Sequence, residues 1–80
     1  MPKLKYIVFD TGLCDSIVVF PHLIQHREIA NRMQWPVLGA GFIQLDDKGK
    51  WHCFGKSISL NVVSRPEDTV IARKQLSNDD

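Results

Sequence analysis

The hydrophobic positions of this chain fall into short alternating runs. In KLKYIVFD (3–10) Leu4, Tyr6 and Val8 point one way and Lys5, Ile7 and Phe9 the other, so one strand becomes apolar on both faces toward its end. SIVVFP (16–21) repeats the pattern until Pro21 stops it. The intervening TGLCD reads as a turn, which makes the pair a hairpin. The period then changes. PHLIQHREIANRMQ (21–34) predicts a helix with Pro21 in its first turn. Ile29, Ala30 and Met33 continue an apolar face begun by Leu23 and by His22 or His26, with Glu28 and Arg32 as an i,i+4 pair in solvent. Trp35-Pro36 ends the helix, because the residue before proline avoids the helical region.

PVLGAGFIQLD (36–46) predicts a third strand in which Gly39 and Gly41 mark a bend or a close backbone approach. DDKG (46–49) predicts a hairpin turn. KWHCFGKSISLNVV (50–63) predicts one long fourth strand, kinked at Gly55. Trp51, Cys53, Ser57 and Ser59 would lie on one side of it, and His52, Phe54, Ile58, Leu60 and Val62 on the other. SRPEDTVIARKQL (64–76) predicts the last helix, with Ser64 and Glu67 as a capping box and Pro66 in the first turn. Glu67 and Asp68 suit its positive end and Arg73 and Lys74 its negative end. Residues 77–80 read as a frayed tail.

The order ββαββα within a single domain over residues 1–80 predicts an α+β fold: an antiparallel sheet of about four strands with two helices packed on it. The first two strands carry more apolar surface than two short helices readily cover. Either the helices are arranged unusually or a second copy buries the spare face, and a homodimer is the expectation drawn from that surplus.

Charge and composition narrow the picture. The net charge is +1, with 44% hydrophobic and 24% charged residues, an ordinary soluble-domain balance without a field that steers polyanions. The start, MPKLKYIVFD, lacks the apolar core of a signal peptide, and no apolar run approaches the roughly 20 residues of a membrane span. Cys14 and Cys53, without a secretion signal, are expected as reduced thiols in a cytoplasm.

The candidate chemistry is sparse. Val8-Phe9-Asp10-Thr11-Gly12 resembles the active-site loop of retropepsin-type aspartic proteases, which implies Asp10 as a catalytic carboxylate shared with a dimer mate. The family places a small residue and Asp after the Gly, where Leu13 and Cys14 stand, and only nine residues precede Asp10. Asp10-Thr11-Gly12 is therefore read as a turn. Gly55-Lys56-Ser57 resembles the end of a phosphate-binding loop, but Lys50 occupies the position of the required earlier Gly, and a strand-like run follows. His22 and His26, four apart on the expected helix, could join Cys14 and Cys53 as a zinc tetrahedron. The simpler alternative is a half-buried histidine and two small apolar thiols, so no metal is assigned. His52 cannot activate Cys53, because neighbours in a strand point to opposite faces. Lys48, Lys50, Trp51 and Lys56 gather around the second hairpin, where an aromatic among cations suits nucleic-acid stacking or merely a lysine-protected sheet edge. Trp35 and Trp51, each at an element end, suit partner anchors or lids over the core.

On FDTG (9–12), VVFP (18–21), the His26 region, GAGF (39–42) and above all SRPED (64–68), the chain resembles short proteins encoded in tailed phages and prophages of Gram-negative bacteria. That resemblance implies an accessory phage role in the host cytoplasm and attaches no catalytic activity. The leading expectation is a small non-enzymatic protein without cofactor that binds itself and a host or phage protein. The partner-binding candidates are Trp35, Trp51, Lys48, Lys50 and Lys56. A nucleic-acid-binding accessory protein is the alternative, and a protease half using Asp10 the remote one.

Overall fold

The computed structural model describes residues 3–76; the frayed tail expected over 77–80 lies outside the described residues. Strands β1 (Leu4–Asp10), β2 (Asp15–Pro21), β3 (Val37–Leu45) and β4 (Trp51–Phe54) form an antiparallel sheet in the order β2-β1-β3-β4. Helix α1 (His26–Met33) follows β2. After β4 a small ribbon, β5 (Lys56–Ser57) with β6 (Val62–Val63), leads into α2 (Pro66–Leu76). The fold is α+β. Among the described residues, no helix is long and apolar enough to cross a membrane.

The double-faced strands predicted from the sequence are real, and the chain covers both faces itself. Tyr6 and Val8 of β1 are fully buried in a cluster with Ile43, Cys53 and Ala72, joined by Ile71 and Leu76 of α2. Ile7 and Phe9, their alternates, are fully buried in a second cluster with Phe20 and Ala40, joined by Ile29 and Ala30 of α1. Because alternate residues of a strand face opposite sides, the two helices lie on opposite faces of the sheet. This is the unusual helix arrangement that the sequence left open. Apolar strand surface is therefore no longer a reason to invoke a second copy.

Both outer edges of the sheet are held by α2. Gln75 accepts from the Ile17 N–H at 3.0 Å and donates to the Asp15 carbonyl at 2.5 Å, along the free edge of β2. At the opposite edge Thr69 Oγ1 accepts from the Cys53 N–H at 3.0 Å, and Arg73 Nε donates to the Trp51 carbonyl at 2.9 Å. One helix thus satisfies backbone groups that would otherwise present a pairing template to another chain.

Three predicted boundaries shift. The helix expected over 21–34 begins only at His26. Pro21 instead ends β2, paired opposite Leu4, and His22 donates its N–H to the Lys3 carbonyl at 3.2 Å. Pro21 sits at an edge-strand position whose missing N–H points away from the ladder, so proline is tolerated there. The fourth strand breaks at Gly55, which adopts φ +77°, a region other residues avoid. The chain then leaves the sheet as the β5–β6 ribbon, and Leu60 and Val62 of this segment pack into the α1-side cluster. The capping box of α2 moves by one residue. Asp68, not Glu67, reaches back to the backbone, accepting from the Arg65 N–H at 3.0 Å, while Pro66 takes the first helical position as expected.

Candidate functional site

The side chains that the sequence brought forward do not converge. Asp10 Oδ1 accepts from the Gly12 N–H at 2.9 Å, and Thr11 Oγ1 donates to the Cys14 carbonyl at 2.9 Å. The Asp-Thr-Gly stretch thus spends its polar groups on the β1–β2 turn. The four metal candidates are dispersed. Cys14 is exposed at this turn, and His22 is exposed before α1 begins, so it shares no helix face with His26. Cys53 is buried on the α2 side, whereas His26 is buried between Phe20 and Phe42 on the α1 side. Among the described residues, no three His, Cys, Asp or Glu side chains gather as a metal site.

The lysines of the second hairpin also part. Lys48 and Lys50 sit at the β3–β4 tip, where Asp46 Oδ1 accepts both backbone N–H groups at 2.9 Å. Lys56 lies beyond Gly55, at the other end of β4. Trp51 packs against the α2-side cluster. Trp35 is 43% exposed and meets Phe9 edge-on, centroids 6.0 Å apart, as a partial lid over the α1-side core.

Two arrangements appear that the sequence did not reveal. The first lies under α2. Asp68 is fully buried, and its carboxylate accepts from the Tyr6 hydroxyl at 2.6 Å and from Arg65 Nε and its terminal nitrogen at 2.9 and 2.6 Å. A Cβ on Gly39 would collide with this carboxylate, so the bare backbone of β3 is what admits it. Burial pushes the Tyr6 hydroxyl far above the usual phenol range, with the Asp68 contact adding to it. Burial also pushes the neighbouring Cys53 thiol up to about 11, which leaves it protonated and unreactive at neutral pH. Among the described residues, no buried side-chain nitrogen or oxygen lacks a partner. This satisfied network clamps α2 to the sheet.

The second arrangement is an open groove of about 750 Å³ on the α1 side. Lys3 and Lys5 from the start of the chain, Arg27 from α1 and Lys56 from β5 line it. Among the described residues, no carboxylate lines it and none of these four cations is in an ion pair. Lys5 Nζ donates to the Ile24 carbonyl at 3.0 Å, and Lys3 Nζ stands 5.7 Å above the Phe42 ring centroid. Arg27 and Lys56 are exposed.

The floor of this groove is aromatic. Phe42 and Phe54, paired across β3 and β4, stack at 6.0 Å between centroids, and His52 continues the row at 6.2 Å from Phe54, nearly parallel at 11°. His26 closes the inner wall. Its Nε2–H donates to the Gly41 carbonyl at 2.8 Å, and burial holds its pKa below the usual imidazole value, so the ring is neutral at pH 7. The groove combines four cations, the half-buried Phe42 and Phe54 rings and a neutral wall, which suits recognition of an anion.

The alternation in KWHCFG was the signal for the shared face of His52 and Phe54, of which Phe54 lines the groove. No spacing rule joins residues 3, 5, 27 and 56, which meet only through the tertiary fold. Neither a family model, nor a curated protein, nor a solved structure matches this chain.

Proposed function

We propose that this protein is a non-catalytic binding module whose working surface is the α1-side groove, and that its ligand carries phosphate-like negative charge. The observation that carries this reading is charge segregation. The whole chain has a net charge of +1, yet four cations meet in one groove without a lining carboxylate among the described residues. Four of the nine acidic residues stand at the hairpin tips, Asp10 and Asp15 at one and Asp46 and Asp47 at the other, while Glu28 of α1 accepts from the Gln25 N–H without lining the groove. Unpaired cations around a concave surface raise the local concentration of anions.

Of the two binding readings drawn from the sequence, this geometry favours the nucleic-acid one. The protein–protein reading leaned on spare apolar strand surface, and the two helices occupy that surface. On the resemblance to phage-encoded proteins, the ligand would be met in a bacterial host's cytoplasm.

The test is a titration of isotope-labelled protein with inorganic tripolyphosphate at low salt, followed by amide chemical shifts. Shifts concentrated at Arg27, Gly55, Lys56 and Ser59, and reversed by added salt, are expected. Shifts absent, or spread over the hairpin tips, would overturn the reading.

A further inference from the structure

We infer that the ligand of this groove is a single-chain amphiphile, its phosphate-type head group held by Arg27 and Lys56 and its alkyl tail laid in a second, apolar cavity that adjoins the groove at Lys3 and Phe54; this rests on the phosphate-binding reading above and narrows its ligand. The second cavity holds about 450 Å³ and is lined by Leu4, Ile43, Leu45 and Trp51, with Gln44 as its uncharged polar member. Lys3 and Phe54 line both cavities. A cationic space beside an apolar one matches a ligand divided in the same way.

The apolar cavity follows from the strand register. Leu4 of β1 lies opposite Ile43 of β3, and Leu45 of β3 opposite Trp51 of β4, so apolar side chains from three neighbouring strands meet. Ile43 is buried, Leu4 and Trp51 are half-buried, and Leu45 keeps 53% of its surface in solvent. The volume falls within the range of about 300–1,000 Å³ usual for small-molecule sites. Charge decides what kind of occupant suits it. Among the described residues, no carboxylate lines either cavity, and Lys3 stands where the two adjoin. An uncharged apolar ligand would leave the cations unused, and a compact anion would leave the apolar walls wet. A polynucleotide carries a charge at every residue and would lay one along the apolar cavity. An alkyl tail buries that surface without bringing a charge to it.

The test titrates isotope-labelled protein with ethyl, butyl, hexyl and octyl phosphate at one low salt concentration, with tripolyphosphate and oligothymidylate alongside. Affinity is expected to rise with chain length, by up to about fourfold per methylene buried. Octyl phosphate should shift the amides of Gln44, Leu45 and Trp51 together with those of Arg27 and Lys56, whereas ethyl phosphate should shift only the latter pair. Leu45→Asn, at a largely exposed position, should cut the gain per methylene. Arg27→Ala and Lys56→Ala should weaken all four alkyl phosphates by a similar factor and keep the gain.

An affinity independent of chain length would overturn the inference and leave the groove a plain phosphate site. Tighter binding of oligothymidylate than of octyl phosphate would overturn it in favour of nucleic acid. Self-association of the free protein through Leu45 and Trp51 would overturn it by giving the apolar cavity to a second copy. Failure of every alkyl phosphate and of tripolyphosphate to bind at low salt overturns the phosphate-binding reading as well.

Discussion

The two faces of the sheet are built from the same strands and end in opposite conditions. On the α2 face an eleven-residue helix spans the sheet, reaches both edges with Gln75, Thr69 and Arg73, and is pinned at its start by Asp68. On the α1 face an eight-residue helix, with the β5–β6 segment beside it against β3, leaves an open groove lined by Phe42 and Phe54. At 1.5 Å per residue the helices are roughly 16 and 12 Å long, and the shorter one cannot also roof the β3–β4 end of the sheet. A small domain has little stability to spare. This one concentrates it on one face, where polar groups are satisfied and sealed, while cations line an open groove on the other.

Removing the clamp is the severest way to break the contrast. Asp68→Ala leaves Tyr6 and Arg65 without their shared partner in a buried site, and a loss of about 3–5 kcal/mol is expected. A domain of this size holds about 4–12 kcal/mol in total, so urea unfolding should show a large fall in midpoint or a chain that no longer folds. Tyr6→Phe is milder. It deletes one bond to Asp68 and keeps the ring, and about 1–3 kcal/mol should go in the same assay. Tripolyphosphate affinity of the folded Tyr6→Phe protein should be unchanged, because the network lies on the other face.

The pH dependence separates the faces by sign. The native pKa of His26 lies below the unfolded value of 6.5, so below pH 6.5 the unfolded chain takes up a proton that the native ring resists. Stability therefore falls with acidification, starting at the α1 face. Cys53 is the reverse: its thiol is raised from 9.0 to about 11, so between those values the unfolded chain has lost a proton that the native state retains. Stability falls with rising pH across that window, and Tyr6 adds to the loss above pH 10. Thermal unfolding from pH 5 to 11 should trace both limbs. His26→Gln should flatten the acid limb, and Cys53→Ala should reduce the alkaline one; an unchanged acid limb in His26→Gln would move its origin elsewhere.

Smaller effects sharpen the picture. Gln75→Ala uncaps the edge of β2, where water replaces the lost bonds, so about 0.5–1.5 kcal/mol is expected together with increased self-association in sedimentation at high concentration. Arg27→Ala and Lys56→Ala sit on the open face and should leave unfolding within about 0.5 kcal/mol of the parent while weakening the groove's ligand.

Much of the frame was legible before any coordinates. IVF and IVVF announced strands buried on both sides, the Asp10-Thr11-Gly12 turn was readable from its residue types, and both Gly39 and Gly41 lie where a side chain would collide with a neighbour. Asp68 left a readable trace that went to Glu67 instead. Arg65 and Asp68 stand three apart at a helix start, and Tyr6, on an otherwise apolar strand face, needed a partner for its hydroxyl. Pro21 was misread because a proline before an amphipathic run signals a helix start as readily as the end of an edge strand.

What the sequence determined by itself is therefore local: alternation, turn chemistry and the order ββαββα follow from steric preferences of neighbouring residues. The tertiary structure alone decided which face each helix takes, that Gly55 turns the chain out of the sheet, and that cations from positions 3, 5, 27 and 56 meet above one row of rings. Those outcomes depend on contacts between residues far apart in the chain. Side-chain periodicity records which face a residue occupies but not which distant residue shares it.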